Sequence, residues 1–243
     1  MSGPVIEAIE VVKFLGDGAG RVQALKGVSL SLSQGELTLL MGPSGSGKTT
    51  LLSILGCMLS PSKGTVRVCG QTTEGLKAEE LAKLRRGHIG FVFQSYHLFP
   101  TLTAVDNVRL ALDVRGNRSP FTATRAAAAL ANVGLAHRIN AFPTQLSGGE
   151  QQRVAIARAI VGDASVILAD EPTAALDSEN GHAIMTLLAD IAKSSERGVL
   201  VVTHDPRILP FANRIVRIED GKIVGEERVA REPKSWRKAS AGL

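Results

Sequence analysis

Apolar and polar positions alternate along the first part of the chain with the period of two that is typical of half-buried β-strands. The alternation runs through "VIEAIEVVKF" (5–14) and "GVSLSLS" (27–33), and the glycine-rich "GDGAG" between them predicts a turn. The next apolar run, "ELTLLM", stops at Gly42, and "KTTLLSILGCML" (48–59) then has the pattern of a helix. The chain is therefore predicted to begin with antiparallel strands and to continue with a strand, a glycine loop and a helix.

Helical patterns dominate from about residue 76 to residue 145. In "TAVDNVRLALDV" the residues Val105, Val108 and Leu112 share one face, and Gly134 is well placed to end the helix of "TRAAAALANVGL". Strands return as "SVILAD" and "GVLVVTH", separated by a helix with an apolar stripe. Because parallel strands need long crossover connections, this alternation predicts a mostly parallel sheet with a helical lobe inserted into it.

Two alternating runs near the end of the chain, "NRIVRIE" and "KIVGEE", are joined by Asp220-Gly221, which is typical of a tight hairpin. The predicted fold class is therefore α/β, with an N-terminal antiparallel β region and a mostly parallel sheet. We expect one large domain over residues 1–228, with a core of about 1–92 and 150–228, a helical lobe of about 93–149, and a basic tail at 229–243.

The composition is that of an ordinary globular protein and excludes several classes. Of the 243 residues, 44% are hydrophobic and 21% are charged, so extended disorder is not expected. No apolar run approaches the roughly 18 residues of a membrane span, and no leader precedes the first strand, so we expect a soluble, non-secreted protein. The two cysteines, Cys57 and Cys69, have neither the number nor the spacing of a disulfide scaffold or a zinc site.

The net charge of +5, from 28 basic and 23 acidic residues, is modest and is spread along the chain. No nucleic-acid partner is expected from it, because the basic residues form no stripe with interleaved aromatics. The tail "REPKSWRKAS" is the local exception, with four basic residues around Trp236. A solvated, flexible end is the simpler interpretation, and a weak contact to anionic lipid is the alternative.

A phosphate-binding loop follows the strand that ends at Gly42. Residues Gly42–Thr49 satisfy the pattern G-x-x-x-x-G-K-[ST], and they lie between a predicted strand and a predicted helix, as the pattern requires. In that geometry the loop amides surround the β-phosphate, Lys48 reaches the β- and γ-phosphates, and the Thr49 hydroxyl coordinates Mg²⁺. The alternative is a chance glycine turn. The intact pattern in the right context favours a P-loop NTPase core.

Acidic and polar side chains follow the other predicted strands. Asp170 and Glu171 end "VILADE", which suits a Mg²⁺ ligand next to a base that accepts a proton from the attacking water. His204 ends the next strand, on the sheet edge where ligands of open α/β sheets bind, and a γ-phosphate contact is expected. Gln94 follows another apolar run and is a candidate for orienting water or Mg²⁺. Taken singly, these residues are also compatible with helix capping, a structural histidine and a surface amide.

A second anion-binding element lies a hundred residues after the first. In "LSGGEQQR" (146–153), Ser147, Gly148 and Gly149 stand directly before Glu150 and an apolar-periodic run. A small-residue turn that opens a helix presents free backbone N–H groups and the positive end of the helix dipole. One domain is therefore predicted to carry two anion sites.

With these motifs in this order, the chain closely resembles the nucleotide-binding subunit of ATP-binding cassette (ABC) transporters. The resemblance covers roughly residues 5 to 226 and rests on Gly42–Thr49, Gln94, Leu146–Gln151, Val166–Glu171, Leu176-Asp177 and His204. It is specific, because P-loop proteins at large lack "LSGGE". The amino-acid sequences of "GPSGSGKTTLLSILGCML" and "EPTAALDSENG" further resemble those of the branch that contains the lipoprotein-release, macrolide-export and heterocyst glycolipid-export ATPases.

The resemblance implies ATP hydrolysis with ATP and Mg²⁺ bound. It implies that Gln94 senses Mg²⁺, water and the membrane partner, that Asp177 lies in the loop crossing a dimer, and that His204 is the switch histidine. It also implies that adenine stacks on Phe14, where many relatives have Tyr. The candidates are, for catalysis, Lys48, Gln94, Glu171 and His204; for nucleotide binding, Phe14, Gly42, Pro43, Ser44, Gly45, Ser46, Gly47, Lys48, Thr49, Thr50, Ser147, Gly148, Gly149, Glu150 and Asp177; and for Mg²⁺, Thr49, Gln94 and Asp170.

The family also implies partners. We expect a head-to-tail homodimer that traps two ATP·Mg²⁺, and a separate integral-membrane permease that holds the chain at the cytoplasmic face of the inner membrane and serves export or lipid extraction. Three alternatives remain at this stage: a soluble cassette ATPase that acts on DNA or ribosomes, a regulator of cell-envelope machinery without transport, and a P-loop protein that binds nucleotide without turnover.

Overall fold

The computed structural model describes residues 3–117, 119–194 and 197–229. Ten strands are described: β1 (Ile6–Leu15), β2 (Val22–Leu32), β3 (Leu37–Met41), β4 (Lys63–Val68), β5 (Gln71–Thr72), β6 (Ile89–Val92), β7 (Val166–Asp170), β8 (Gly198–Thr203), β9 (Arg214–Glu219) and β10 (Lys222–Arg228). Six α-helices are described: α1 (Lys48–Leu55), α2 (Ala78–His88), α3 (Ala104–Val114), α4 (Thr122–Asn132), α5 (Gly148–Ile160) and α6 (Ser178–Ser194). Basic residues Arg231 to Lys238 of the tail lie outside the described residues.

The strands form two sheets. The first is antiparallel, with the strand order β2-β1-β4-β5. The second has the order β10-β9-β3-β8-β7-β6, in which β9, β3, β8, β7 and β6 are parallel and only β10 is antiparallel. The prediction of an α/β fold with an antiparallel N-terminal region and a mostly parallel sheet is confirmed.

The apolar pattern of β3, β7 and β8 explains why they lie at the centre of the second sheet. All five residues of β3 and all six of β8 are buried, as expected for parallel strands that are covered on both faces. One core cluster packs β1, β2, β4 and α1 against one face of the sheet, and another packs α3 to α6 against the other. The central strands are thereby held rigidly, and so are the loops that leave them.

Five loops leave the parallel strands at one edge of the sheet. Because β3, β6, β7, β8 and β9 all run in the same direction, their carboxyl ends meet there. The residues placed at this edge are Gly42 after β3, Gln94 after β6, Asp170 at the end of β7, His204 after β8 and Asp220 after β9. Residues far apart in the sequence thus lie next to one another along the carboxyl edge of the parallel sheet.

Helix α1 is shorter than the pattern predicts. It ends at Leu55, whereas the apolar run continues to residue 59. Gly56 follows, and a Cβ added there would lie 2.1 Å from Cζ of Phe91. The next residue, Cys57, has a positive φ of 54°. The close approach to Phe91 and this turn of the backbone end the helix one turn earlier than its hydrophobicity suggests.

Gly134 ends α4 as the sequence predicts. Its φ is +79°, its N–H donates to Ala131 O at 2.9 Å, and the N–H of Leu135 donates to Leu130 O at 2.8 Å. These two bonds are those of a Schellman motif, which satisfies carbonyls that the end of a helix leaves free. Across the described residues, no helix is long and apolar enough to span a bilayer.

Candidate functional site

A cleft of about 700 Å³ opens at the carboxyl edge of the parallel sheet. Its lining includes most of the side chains that the sequence predicts to act on a nucleotide: Pro43, Ser44, Gly45, Gly47, Lys48, Thr49, Thr50, Gln94, Asp170, Glu171 and His204. The lining also contains residues that the sequence analysis does not single out for binding: Leu15, Val22, Gln23, Ala24, Ala174, Val202, Asp220 and Gly221. We call this site the nucleotide cleft.

The loop between β3 and α1 has the backbone of an anion cradle. Gly45 and Gly47 have positive φ values of 80° and 99°, which residues with a Cβ rarely adopt. A Cβ on Gly47 would also lie 2.7 Å from Ala24 O, and one on Gly42 would lie 2.0 Å from Ile218 O. The two neighbouring strands therefore hold the loop closely, and only glycine fits at these positions.

Lys48 lies folded against the same loop. Its Nζ donates to Gly42 O and to Pro43 O, both at 2.7 Å, and the residue is buried. Burial lowers the pKa of the Lys48 ammonium, while the nearby charges of Glu171 and Asp170 oppose that shift. The cation is thus held between loop carbonyls and carboxylates, within reach of any phosphate in the loop.

Asp170 and Glu171 lie together at the end of β7. Burial raises the pKa of the Asp170 carboxyl, the charge of Glu171 raises it further, and Lys48 opposes them. A further cation placed beside Asp170 would favour the charged form of its carboxyl. The arrangement therefore provides the negative charge that a metal ion would neutralise.

Glu171 and His204 form a direct contact. Oε1 of Glu171 lies 2.6 Å from Nδ1 of His204, and the hydroxyl of Thr203 donates to Oε2 at 3.3 Å. The Glu171 side chain is 16% exposed and the His204 side chain 69% exposed. Glu171 also has a φ of +47°, a strained conformation for a residue with a Cβ, and such strain clusters at functional sites.

The residues predicted to hold Mg²⁺ all lie in the nucleotide cleft. Thr49, Gln94 and Asp170 offer a hydroxyl, an amide oxygen and a carboxylate, which are hard oxygen ligands. Among the described residues no group of three or more His, Cys, Asp or Glu could hold a metal by itself. This fits Mg²⁺, which binds through one or two carboxylates together with water and substrate phosphates.

The segment after Gln94 is tied to helix α5. Two guanidinium nitrogens of Arg158 donate to the backbone oxygens of Tyr96 and His97. Both Tyr96 and His97 have positive φ values, 60° and 49°. Arg158 therefore stabilises a turn that the backbone alone disfavours and links the Gln94 segment to the helix that begins after Ser147.

The hairpin between β9 and β10 lies against the P-loop, which the sequence analysis missed. The N–H of Gly221 donates to Ser46 O at 3.0 Å, and Gly221 O accepts from the N–H of Lys26 at 2.8 Å. The Asp220 carboxylate pairs with the ammonium of Lys26 at 2.6 Å. The signal was present, because a hairpin that follows a strand parallel to β3 must turn at the same edge.

Phe14 does not line the nucleotide cleft; Leu15 and Val22 do, with 40% and 64% of their surface exposed. Successive residues of a strand point to opposite faces, so Phe14 and Leu15 are separated by the pleat. The guanidinium of Arg21 lies over the Phe14 ring, 4.1 Å from its centre. The aromatic face predicted to stack on adenine is thus in contact with a cation.

The residues of "LSGGE" lie apart from the nucleotide cleft, and none of them lines it. The N–H of Glu150 donates to Ser147 Oγ at 3.2 Å, and the N–H of Ser147 donates to Glu150 Oε2 at 2.8 Å, which together form a capping box. A Cβ on Gly149 would lie 2.6 Å from Asn180 Oδ1. Helix α5 therefore begins with a turn that is exposed at Ser147 and packed against Asn180 of α6 at the buried Gly149.

Asp177 lies next to that turn and also outside the nucleotide cleft. It accepts hydrogen bonds from the N–H of Asn180 at 2.9 Å and from its side-chain amide at 2.7 Å. These bonds lower the pKa of the Asp177 carboxyl. Asn180 thus contacts both Asp177 and the glycine turn, so the two elements predicted to reach a second copy of the chain lie side by side.

Comparison with known proteins places these features in a family. A family model described as "ABC transporter" matches residues 25–174. The chain is similar to the macrolide export ATP-binding/permease protein MacB 1 of Aeromonas hydrophila subsp. hydrophila, with 46% identity over 233 residues that make up 96% of this chain and 36% of the relative. A MacB of Burkholderia pseudomallei is 45% identical over 93% of this chain and 34% of its own length. The chain thus spans about a third of the length of these relatives.

Solved structures share the fold over most of the chain. A dimeric post-hydrolysis state of the ATP-binding cassette MJ0796 bound to ADP and Pi has a TM-score of 0.85 and 42% identity, covering 93% of this chain and all of that one. A second dimeric structure of MJ0796, described as a bacterial ABC transporter cassette, has a TM-score of 0.85 and 43% identity over the same shares.

Proposed function

Because this chain belongs to the ABC transporter family and is an ATPase cassette of that family, we propose that it hydrolyses ATP in the nucleotide cleft as one half of a dimer. One observation carries the proposal. Lys48, Asp170, Glu171 and His204 meet in a single cleft, while the second predicted anion site at Ser147 stays outside it. A complete site therefore needs Ser147 from another copy.

Binding begins with the phosphates in the P-loop. The amides of residues 45 to 49 surround the β-phosphate, and the Lys48 ammonium exchanges its contacts to Gly42 O and Pro43 O for the β- and γ-phosphate oxygens. The exchange is favourable because phosphate oxygens carry full charge and the two carbonyls do not.

Thr49, Gln94 and Asp170 would hold Mg²⁺. When bound, the ion supplies charge neutralisation at the β- and γ-phosphates. The raised pKa of Asp170 supports this role, since a carboxylate that is unfavourable alone gains most from a cation.

Glu171 acts as the general base. Its carboxylate removes a proton from the attacking water, a task that needs an ionised, positioned acid within hydrogen-bond reach. Thr203 and His204 hold that carboxylate through its two oxygens. His204 is exposed enough to leave this contact and donate to the γ-phosphate, so one residue both orients the base and binds the substrate.

The dimer completes the site from the other side. The first turn of α5 leaves amides without helical partners, and the helix dipole places partial positive charge there. Facing a γ-phosphate in a second copy, Ser147 and the amides of Gly148 and Gly149 form the second wall of the site. Two anion sites in one chain thereby become two shared sites in a dimer, as the dimeric MJ0796 structures support.

The membrane partner is proposed to be an export permease at the cytoplasmic face of the inner membrane, either a separate subunit or the remainder of a longer chain. The similarity to ATP-binding/permease proteins for macrolide export supports this. A groove of about 360 Å³ beside β6, α3 and α5 offers apolar side chains such as Phe91, Leu110 and Val114 next to His97. Because Arg158 ties this region to α5, movement in the dimer passes to the permease through the lobe of residues 93–149.

The dimer is tested with Ser147→Arg in a Glu171→Gln chain, which holds ATP without turnover. In ATP and Mg²⁺ the Glu171→Gln chain elutes from a sizing column as a dimer. Adding Ser147→Arg leaves ATP binding intact, because the P-loop is unchanged, but the chain elutes as a monomer. The matched control is Thr124→Arg, which adds the same side chain at an exposed position of α4 and leaves the dimer intact. A dimer that survives Ser147→Arg would overturn the shared site.

A further inference from the structure

A second concave site lies at the opposite edge of the parallel sheet. It is a cleft of about 520 Å³ where α2, α3 and α5 end, close to the residues that enter β6 and β7. We call it the basic cleft and define it by Lys83, Arg86, Arg115, Arg125 and Asp163. The length of β6, about 13 Å at 3.3 Å per residue, separates it from the Gln94 end of the nucleotide cleft.

The basic cleft carries unbalanced positive charge. Four cationic side chains and one carboxylate line it, which leaves a net charge of +3. The carboxylate of Asp163 is already paired with Arg125 at 2.8 Å, and its side chain is 80% exposed. An adjoining pocket shares Arg125 and Asp163 and adds a further cation, Arg197.

Helix capping accounts for only part of this charge. Arg115 donates to Gly162 O, Arg125 to Val161 O at 3.2 Å, and Arg197 to Ala164 O at 2.8 Å. Cations that bond the carbonyls following a helix also stabilise its dipole, so these three arginines have a structural role at the end of α5.

Lys83 and Arg86 bond no carbonyl of a described helix, although Arg86 lies in the last turn of α2, where its charge also complements the helix dipole. Within the described part of the chain, neither side chain has a hydrogen bond or an ion pair. Both are exposed at the mouth of the basic cleft, on successive turns of α2. Their ammonium and guanidinium groups are therefore available as donors to a ligand.

The half-buried Arg115 at the wall of the basic cleft lies close to other positive charges. Burial lowers the pKa of the Arg115 guanidinium, Asp163 opposes this, and the charges of Arg125 and Arg197 lower it further. Like charges brought together at partly buried positions repel each other, and a bound anion would relieve that repulsion.

We propose that the basic cleft binds the phosphate group of a small phosphorylated ligand, at a site separate from the nucleotide cleft. Guanidinium groups match phosphate oxygens with two parallel N–H donors, and a lysine adds a point charge. The volume lies within the range of small-molecule sites. Asn117, whose Oδ1 accepts from the N–H of Ser119, keeps its side-chain N–H groups for the ligand.

The test uses the full chain, with inorganic pyrophosphate as the probe and backbone amide resonances as the readout. Gly87 and Gly162 report the basic cleft, and Gly45 and Gly47 report the P-loop, so binding at the two sites is observed separately. In Lys83→Gln/Arg86→Gln, the affinity reported by Gly87 and Gly162 falls by about tenfold or more, since two charge-assisted contacts are removed. The shifts of Gly45 and Gly47 and the rate of ATP hydrolysis stay at their wild-type values.

The matched control is Lys63→Gln/Lys193→Gln, which removes two exposed lysines elsewhere and leaves the response unchanged. Co-sedimentation with phosphatidylglycerol and phosphatidylcholine vesicles identifies the source of the phosphate. A loss of phosphatidylglycerol binding only in Lys83→Gln/Arg86→Gln indicates a lipid head group, and equal binding by all chains indicates a free molecule. The proposal would be overturned if pyrophosphate did not shift the amide resonances of Gly87 and Gly162, or if Lys83→Gln/Arg86→Gln bound pyrophosphate there as tightly as the wild type. Larger shifts with a poly-glutamate peptide than with pyrophosphate would also overturn it.

Discussion

Replacing Glu171 with glutamine separates the binding of ATP from its hydrolysis. The substitution keeps the size and shape of the side chain and the oxygen that contacts His204, but it removes the charge and the proton acceptor. Since the side chain is only 16% exposed, water cannot readily take over its position. We expect Glu171→Gln to fold normally, to bind ATP and to lose nearly all turnover.

The magnitude follows from the chemistry of the lost group. A positioned general base contributes about 10² to 10⁴ in rate. At 1.36 kcal/mol for each factor of ten, this corresponds to about 3 to 5 kcal/mol in the barrier. ATP binding does not weaken, because removing a carboxylate beside Lys48 reduces the repulsion that the γ-phosphate meets.

The assay is phosphate release under single-turnover conditions, combined with equilibrium binding of a fluorescent ATP analogue. Glu74→Gln is the matched control, because it makes the same chemical change at an exposed position outside the nucleotide cleft and leaves both quantities unchanged. Hydrolysis by Glu171→Gln within about threefold of the wild-type rate would refute the role of Glu171 as the base, since the loss predicted for a general base is far larger. A parallel loss of ATP binding would contradict the separation of the two steps.

Two further predictions concern stability. Gly221→Ala places a Cβ 2.6 Å from Ala24 O, at a backbone φ of +74° that residues with a Cβ rarely adopt. We expect urea unfolding to show a loss of about 1 to 3 kcal/mol in the free energy of unfolding. We also expect steady-state kinetics to show a higher KM for ATP. Gly70→Ala is the control, because Gly70 also has a positive φ of +80° but an added Cβ there meets no neighbouring atom; we expect it to lose less free energy of unfolding. Asp170→Asn should be more stable than the wild type in Mg²⁺-free buffer at pH 7. Because the pKa of Asp170 is raised in the folded state, the wild type loses stability as the pH rises from 3.8 through the raised value. The stability advantage of Asp170→Asn therefore disappears in acid. An Asp170→Asn chain that is less stable than the wild type at pH 7 would contradict this.

Much of the nucleotide cleft is predictable from local sequence. The P-loop, Asp170 with Glu171, and His204 each follow a recognisable apolar strand, and parallel strands place their carboxyl ends at one edge. The turn of "LSGGE" is likewise encoded locally, because a capping box involves residues only three positions apart. These features depend on periodicity and spacing, which the sequence displays directly.

Other features depend on which elements become neighbours. The contact of Gly221 with the P-loop joins residues about 175 positions apart, because β9 lies beside β3 in the sheet order. The choice of Leu15 over Phe14 in the lining depends on which face of β1 meets the cleft. The basic cleft likewise collects cations from the ends of separate helices. In these cases the tertiary structure decides, since periodicity gives the buried face of an element but not the element that covers it.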